Sequence, residues 1–254
     1  MDDRSMAPRS LLRKSRILVT GGTSGLGRAL VREFRTRGAH VAFVARTAAR
    51  VEKTAAEEAG TLGIVADVAD KHAIHAIALQ VLGWHGGLDV LVNNASSLGP
   101  VPLAPLADTD CEALEDALAT NVVAPFRLTK ALLGALAASA REGRGAIVVN
   151  VSSDAAVNAY ANWGAYGASK AALRHLSRIW DDELRGVGVR FLSIDPGDMD
   201  TPLHALAVPD ADPRDLLAPE TAARTIVDAV ANALRVRATV GRNVADRARV
   251  QAPS

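Results

Sequence analysis

The chain has 254 residues, 49% of them hydrophobic and 22% charged, and its net charge is +1. Such a chain is long and apolar enough for one large domain, and with 4% aromatics and no basic stripe it argues against a nucleic-acid binder. The lone Cys111 excludes an intramolecular disulfide and fits a reducing, cytoplasmic location, while the absence of an uninterrupted apolar run of spanning length argues against a membrane partner.

Residues 1–15 are polar, mix Arg with Asp2 and Asp3, and lack a signal-peptide core, so they read as a flexible tail before a single domain over 16–254. Arg16–Thr20 (RILVT) is the first buried strand, and Gly25–Arg37 a helix with Leu26, Leu30, Val31 and Phe34 on one side. His40–Ala45 is the second strand and Thr47–Ala59 the second helix. A short strand over Gly63–Ala66 and a helix over Asp70–Leu82 follow, then a strand over Asp89–Asn93. Two helices fill Asp108–Ala140, broken near Pro125, and Ala146–Val151 is the fifth strand. Cys111 sits between Asp110 and Glu112, which disfavour a thiolate, and reads as structural. Gly164–Leu184 is a long helix, Gly188–Ile194 a sixth strand, Pro219–Leu234 a last helix, and Ala238–Val240 a seventh strand.

Strict alternation of apolar strands with helices predicts an α/β, doubly wound, Rossmann-type fold. Its parallel sheet has about seven strands, with helices on both faces. Ligands then bind beyond the carboxyl ends of the strands, which is where the candidate residues cluster.

Thr20-Gly21-Gly22-Thr23-Ser24-Gly25-Leu26-Gly27 joins the first strand to the first helix. Gly21 allows a sharp turn, Gly25 lets a pyrophosphate approach the helix N-terminus, and Gly27 lets helix and strand pack closely. No Gly-Lys-Ser/Thr follows, which excludes a triphosphate P-loop. Arg46 ends the second strand, where a carboxylate would suit NAD and an arginine suits the 2′-phosphate of NADP. Asp67, in Ala66-Asp67-Val68, ends the third strand and is placed to accept from an adenine amino group. The alternatives for these positions are a surface arginine and a turn carboxylate.

Tyr166 and Lys170 stand four residues apart, on one face of a helix. A nearby ammonium lowers a phenol from about 10, towards a group that gives or takes a proton near neutrality. Ser153, thirteen residues earlier at the end of the fifth strand, can add a second donor at a developing oxyanion. His72 and His75 share a helix without a third ligand, so no metal site is expected.

With Thr20–Gly27, Asn93-Asn94-Ala95, Asn121, Ser153, Tyr166-x-x-x-Lys170 and Pro196-Gly197 in this order, the chain resembles the short-chain dehydrogenase/reductase family of one-domain type, from about Arg16 to Thr201. The resemblance implies that Tyr166 is the general acid or base and that Lys170 tunes it and binds the nicotinamide ribose. It implies that Ser153 holds the substrate oxygen and that Asn121 holds a water leading from Lys170. Asn93, Asn94 and Ala95 would line the adenosine side, and Thr201, after Pro196-Gly197, would meet the carboxamide. It further implies a homodimer or homotetramer.

Three departures stand out. Ser96 occupies the common glycine position after Asn-Asn-Ala, Asp195 replaces a common Asn, and Val240–Ser254 lacks the Asp-Gly-Gly ending of tetrameric members. The substrate pocket is expected from Ser96–Leu103, Asp154–Trp163 and Thr201–Leu217, the last as a mobile lid. Asp195, Asp198 and Asp200 suit a cationic or hydroxylated small molecule. The expected activity is NADP(H)-dependent interconversion of a carbonyl compound and an alcohol. The alternatives are an NAD-dependent alcohol dehydrogenase, a nucleotide-sensing module with little catalysis, and an epimerase or dehydratase that retains its cofactor.

Overall fold

The computed structural model describes residues 12–250, with side chains from 12 to 235. The first eleven residues of the expected tail lie outside the described residues, whereas Leu12 is fully buried, so core packing begins four residues before the first strand.

Six parallel strands form one sheet in the order β3-β2-β1-β4-β5-β6. They are β1 (Arg16–Thr20), β2 (His40–Ala45), β3 (Leu62–Val65), β4 (Val90–Asn93), β5 (Ala146–Val151) and β6 (Val189–Ile194). The helices are α1 (Gly25–Thr36), α2 (Ala48–Glu57), α3 (Ala73–His85), α4 (Cys111–Leu118), α5 (Ala124–Arg141), α6 (Gly164–Leu184), α7 (Pro202–Ala207) and α8 (Pro219–Val250).

Alternate strand residues feed opposite faces of the sheet. Ile17 and Val19 of β1 pack with α1 and α8, whereas Leu18 packs with the layer that holds α3 and α5. With both faces covered, β5 is buried along its whole length, which is why its sequence is an unbroken apolar run apart from Asn150. The strand order reverses between β1 and β4, and the crevice at their carboxyl ends is the natural ligand site.

Two expectations need correction. The sheet has six strands, because Ala238–Val240 falls inside α8. The alanine- and arginine-rich sequence after Pro219 carries no proline before Pro253, so nothing there stops a helix. Next, Pro125 does not divide two separate helices. Cys111–Arg141 runs on through one π-helical turn, Ala119–Val123, and Pro125 sits in the first turn of α5. A proline there cannot donate to the Asn121 carbonyl, and the wide turn accommodates that loss. This continuous helix is also long and apolar enough to cross a membrane by length and composition, but Arg127 and Lys130 interrupt its apolar sequence and its apolar face, with Leu128, Leu132 and Leu136, is buried in the core.

Candidate active site

A groove of about 1310 Å³ crosses the carboxyl ends of the strands. Its floor at one end is the loop between β1 and α1. Gly21 has φ of +70°, a left-handed turn that favours glycine, and a Cβ on Gly27 would collide with the Gly21 carbonyl. This contracted loop leaves the first N–H groups of α1 facing the groove, with Thr23, Ser24, Gly25 and Leu26 in its wall.

Thr20 ties this loop to the end of β4. Its hydroxyl accepts from the Asn94 and Ala95 N–H groups at 2.9 Å each, and its carbonyl accepts from the Asn94 amide at 2.8 Å. Asn94 and Ala95 therefore line the groove. Asn93 does not: it is buried and donates to Asn150 Oδ1 at 2.8 Å, and Asn150 in turn donates to Ser177.

Beyond β2 and β3 lie Arg46, Asp67 and Val68, all in the groove wall. The Arg46 side chain is 77% exposed and only 3.9 Å from Asp67 Oδ2, so its guanidinium is free to turn to an anion. Asp67 Oδ1 accepts from the Ala69 N–H at 2.9 Å, which is the turn role, and leaves the other oxygen available. Arg50, in the first turn of α2, joins this end of the groove. It stands in α2 while Arg46 precedes that helix, so no helical periodicity links the two in the sequence.

The other end is built on β5 and α6. Ser153, Tyr166 and Lys170 meet here, as their spacing predicts. Lys170 is buried, and burial brings its amine down to about 8. Its Nζ donates to the Val151 carbonyl at 2.9 Å, which leaves two donors for other partners. Tyr166 is buried against Leu98, Ala155 and Trp163.

The expected lowering of this phenol is not seen in the free protein. Burial pushes Tyr166 up to about 12, with Asp195 and Asp154 adding to the rise, while hydrogen bonding by Ser153 and Ser96 opposes it. The ammonium lies over the ring face, 5.5 Å from its centroid, so its charge is not aimed at the oxygen.

Asn121 lies behind the groove wall, not on it, and is fully satisfied. Its amide donates to the Ser97 carbonyl at 2.7 Å and to Ser169 Oγ at 2.8 Å, and its Oδ1 accepts from the Ser97 N–H at 2.8 Å and Ser96 Oγ at 3.2 Å. Pro196, Gly197 and Thr201 complete the wall after β6, and Thr201 caps α7 by accepting from the His204 N–H at 3.2 Å. Besides Arg50, two contributors were missed as individual residues. Asp154 accepts from Ser153 Oγ at 3.1 Å and from the Tyr160 hydroxyl at 2.7 Å, and Leu203 packs into the apolar wall.

The residues present fit a nicotinamide dinucleotide. The loop and the N-terminus of α1 suit a pyrophosphate, and Ser152 Oγ, buried in the groove wall, has no partner among the described residues. Fold and groove together define a dinucleotide-dependent oxidoreductase.

The sequence comparisons agree. The short chain dehydrogenase family profile matches residues 15–212. A serine 3-dehydrogenase of Agrobacterium fabrum is 37% identical over 187 residues, which cover 73% of this chain and 72% of that one. A short chain dehydrogenase of Shigella flexneri 2a, solved with NADP, superposes with a TM-score of 0.77 at 29% identity, covering 84% of this chain and 89% of that one. A 3-ketoacyl-(acyl-carrier-protein) reductase of Brucella melitensis, solved with NADH, gives a TM-score of 0.79 at 26% identity over 85% and 90% of the two chains. The chain belongs to the short-chain dehydrogenase/reductase family, whose enzymes interconvert alcohol and carbonyl groups with a nicotinamide cofactor.

Proposed function

We propose that this enzyme is an NADP(H)-dependent reductase of small carbonyl compounds in which Tyr166 is the general acid. The observation that carries the reading is the meeting of Ser153, Tyr166 and a buried Lys170 on one wall of the groove. When bound, the nicotinamide supplies or accepts the hydride. In reduction, Tyr166 gives its proton to the substrate oxygen while Ser153 donates a hydrogen bond to the same oxygen. The two remaining Lys170 donors hold the ribose hydroxyls, and the Thr20–Gly27 loop holds the pyrophosphate.

The preference for NADP rests on Arg46 and Arg50, which bring two guanidinium groups to the ribose end where a carboxylate would suit NAD. The substrate end is charged in the opposite sense. Asp154, Asp195 and Asp198 line it, and Lys170 is the only lysine or arginine there among the described residues. That field repels anions and favours a polyhydroxylated or ammonium-bearing substrate. The relative named for serine points to a molecule whose hydroxyl and ammonium suit that charge pattern, whereas its carboxylate does not.

The test is Tyr166→Phe. The variant should bind NADPH with the affinity of the parent, followed by nicotinamide fluorescence, and lose turnover by about a thousandfold. Full turnover in the variant would overturn the reading.

A further inference from the structure

At the substrate end of the groove, Asp198 from the segment after β6 faces His204 of α7. His204 Nε2 lies 3.9 Å from Asp198 Oδ1, too far for a hydrogen bond between them. Neither side chain has a hydrogen-bond partner among the described residues, and His204 Nδ1 is buried without one. We propose that this gap is a clamp for one substrate hydroxyl, which accepts from His204 Nε2–H and donates to Asp198, so that the enzyme takes polyhydroxylated carbonyl compounds. This rests on the groove being that of a carbonyl reductase, and it narrows the substrate class.

The span and the chemistry both fit a hydroxyl. One oxygen at about 2.8 Å from each atom bridges 3.9 Å with about 90° between its two bonds. The carboxylate draws the imidazole proton to Nε2, which makes the facing pair one donor and one acceptor. A hydroxyl oxygen serves both at once. An ammonium group would satisfy Asp198 but confront Nε2–H with a further donor, and a carboxylate would suit His204 but be repelled by Asp198. The clamped hydroxyl lies on a carbon other than the one that reacts, since the reacting oxygen belongs to Tyr166 and Ser153.

Both arms of the clamp are held in place. The Thr201 hydroxyl accepts from the His204 N–H at 3.2 Å, and Thr201 packs so closely on the glycine loop that a Cβ on Gly25 would meet it at 3.0 Å. Leu203 and Ala207 of α7 pack against the cluster of Leu98, Ala155 and Tyr166. Asp198 is fixed through its carbonyl, which accepts from the Leu217 N–H at 2.9 Å. The His204 side chain is 15% exposed and that of Asp198 78%, so the imidazole is the inner arm and the carboxylate the outer.

The experiment loads the enzyme with NADPH and titrates it with erythritol or with butanol, alcohols of equal carbon count that differ in their hydroxyls. Nicotinamide fluorescence reads the dead-end complexes, and nothing turns over. The parent should bind erythritol the more tightly. His204→Phe, which keeps a ring and loses the donor, and Asp198→Ala should each cut that preference about tenfold. Since both arms grip one hydroxyl, the double variant should lose little more than either single one. Erythritol bound no better than butanol by the parent overturns the proposal. So do equal losses on both alcohols in His204→Phe, which would assign the ring to lid packing, and multiplied losses in the double variant. Failure of the underlying reading shows separately, as turnover retained by Tyr166→Phe.

Discussion

Lys170 Nζ sits 5.5 Å from the centroid of the Tyr166 ring, and its hydrogen bond runs to the Val151 carbonyl at 2.9 Å. The pair is thus joined through the ring face and the backbone, not through a bond to the phenol oxygen. In the free protein each partner resists ionisation: the amine is brought down to about 8 and the phenol pushed up to about 12.

A buried amine of this kind costs stability. Its folded value, about 8, lies below the ordinary 10.5, so the unfolded chain binds the proton more tightly. Stability of the free protein should therefore rise with pH from about 8 to 10.5 through this group. Lys170→Met removes about 3 kcal/mol of penalty at neutral pH and orphans the Val151 carbonyl at a cost of about 1–2 kcal/mol. The variant should melt slightly higher than the parent near neutrality, lose that part of the pH slope, and bind NADPH weakly. Thermal melts across the pH range, with and without NADPH, check all three outcomes.

Arg46 is exposed and loosely paired, so its loss should leave the fold untouched. Arg46→Ser should raise the Kd for NADPH about tenfold, or ~1.4 kcal/mol, and leave that for NADH unchanged. Paired nicotinamide-fluorescence titrations decide it; equal weakening of both cofactors would remove Arg46 from phosphate recognition.

Asp154 is ionised, held below the usual carboxylate range first by the Tyr160 hydroxyl. Asp154→Asn should raise KM for an ammonium-bearing alcohol or ketone about tenfold and leave KM for a neutral polyol almost unchanged. Steady-state kinetics on one substrate of each kind make the comparison, and parallel losses on both would point to Ser153 positioning instead.

Far from the groove, Asp89 is a buried carboxylate that accepts from Arg16 at 2.7 Å, from Arg144 at 2.9 Å and from Ser139. These partners hold its carboxyl well below the usual carboxylate range despite burial. The stability it contributes is present above its ordinary value, about 3.9, and is lost only as pH falls through its depressed folded value. Asp89→Ala should cost about 3 kcal/mol and roughly 10 °C in Tm, because it leaves Arg16 largely buried beside an empty place. Differential scanning calorimetry at neutral and acidic pH reads both effects.

Much of this architecture was legible because it is local. The alternating apolar runs located all six strands, and β1, β2 and β5 have the expected bounds. The glycine loop and the Tyr166–Lys170 spacing carried the groove. What was hidden depends on partners distant in sequence. Asn93 and Asn94 are adjacent and identical, yet one pairs with Asn150 inside the core and the other ties Thr20 at the groove. Nothing local separates them. The shift of Tyr166 was misjudged for a similar reason: helical spacing brings an amine near but says nothing of burial or of Asp195, which arrives from β6. The π turn that carries Asn121 was equally invisible, since Pro125 marks a lost hydrogen bond without saying how the helix absorbs it.

The segment over 201–217, expected as a lid, is closed at its base. Met199 and Leu217 form a parallel bridge, with the Asp200 N–H donating to the Leu217 carbonyl at 3.0 Å and the Leu217 N–H to the Asp198 carbonyl at 2.9 Å. What lies between, including α7 and the Pro213–Asp215 turn, hangs from that neck immediately before α8. Such a loop is a cassette. Exchanging its interior should leave the entry and exit of the chain where the sheet needs them, so a change of substrate choice engineered here is expected to spare the fold beneath.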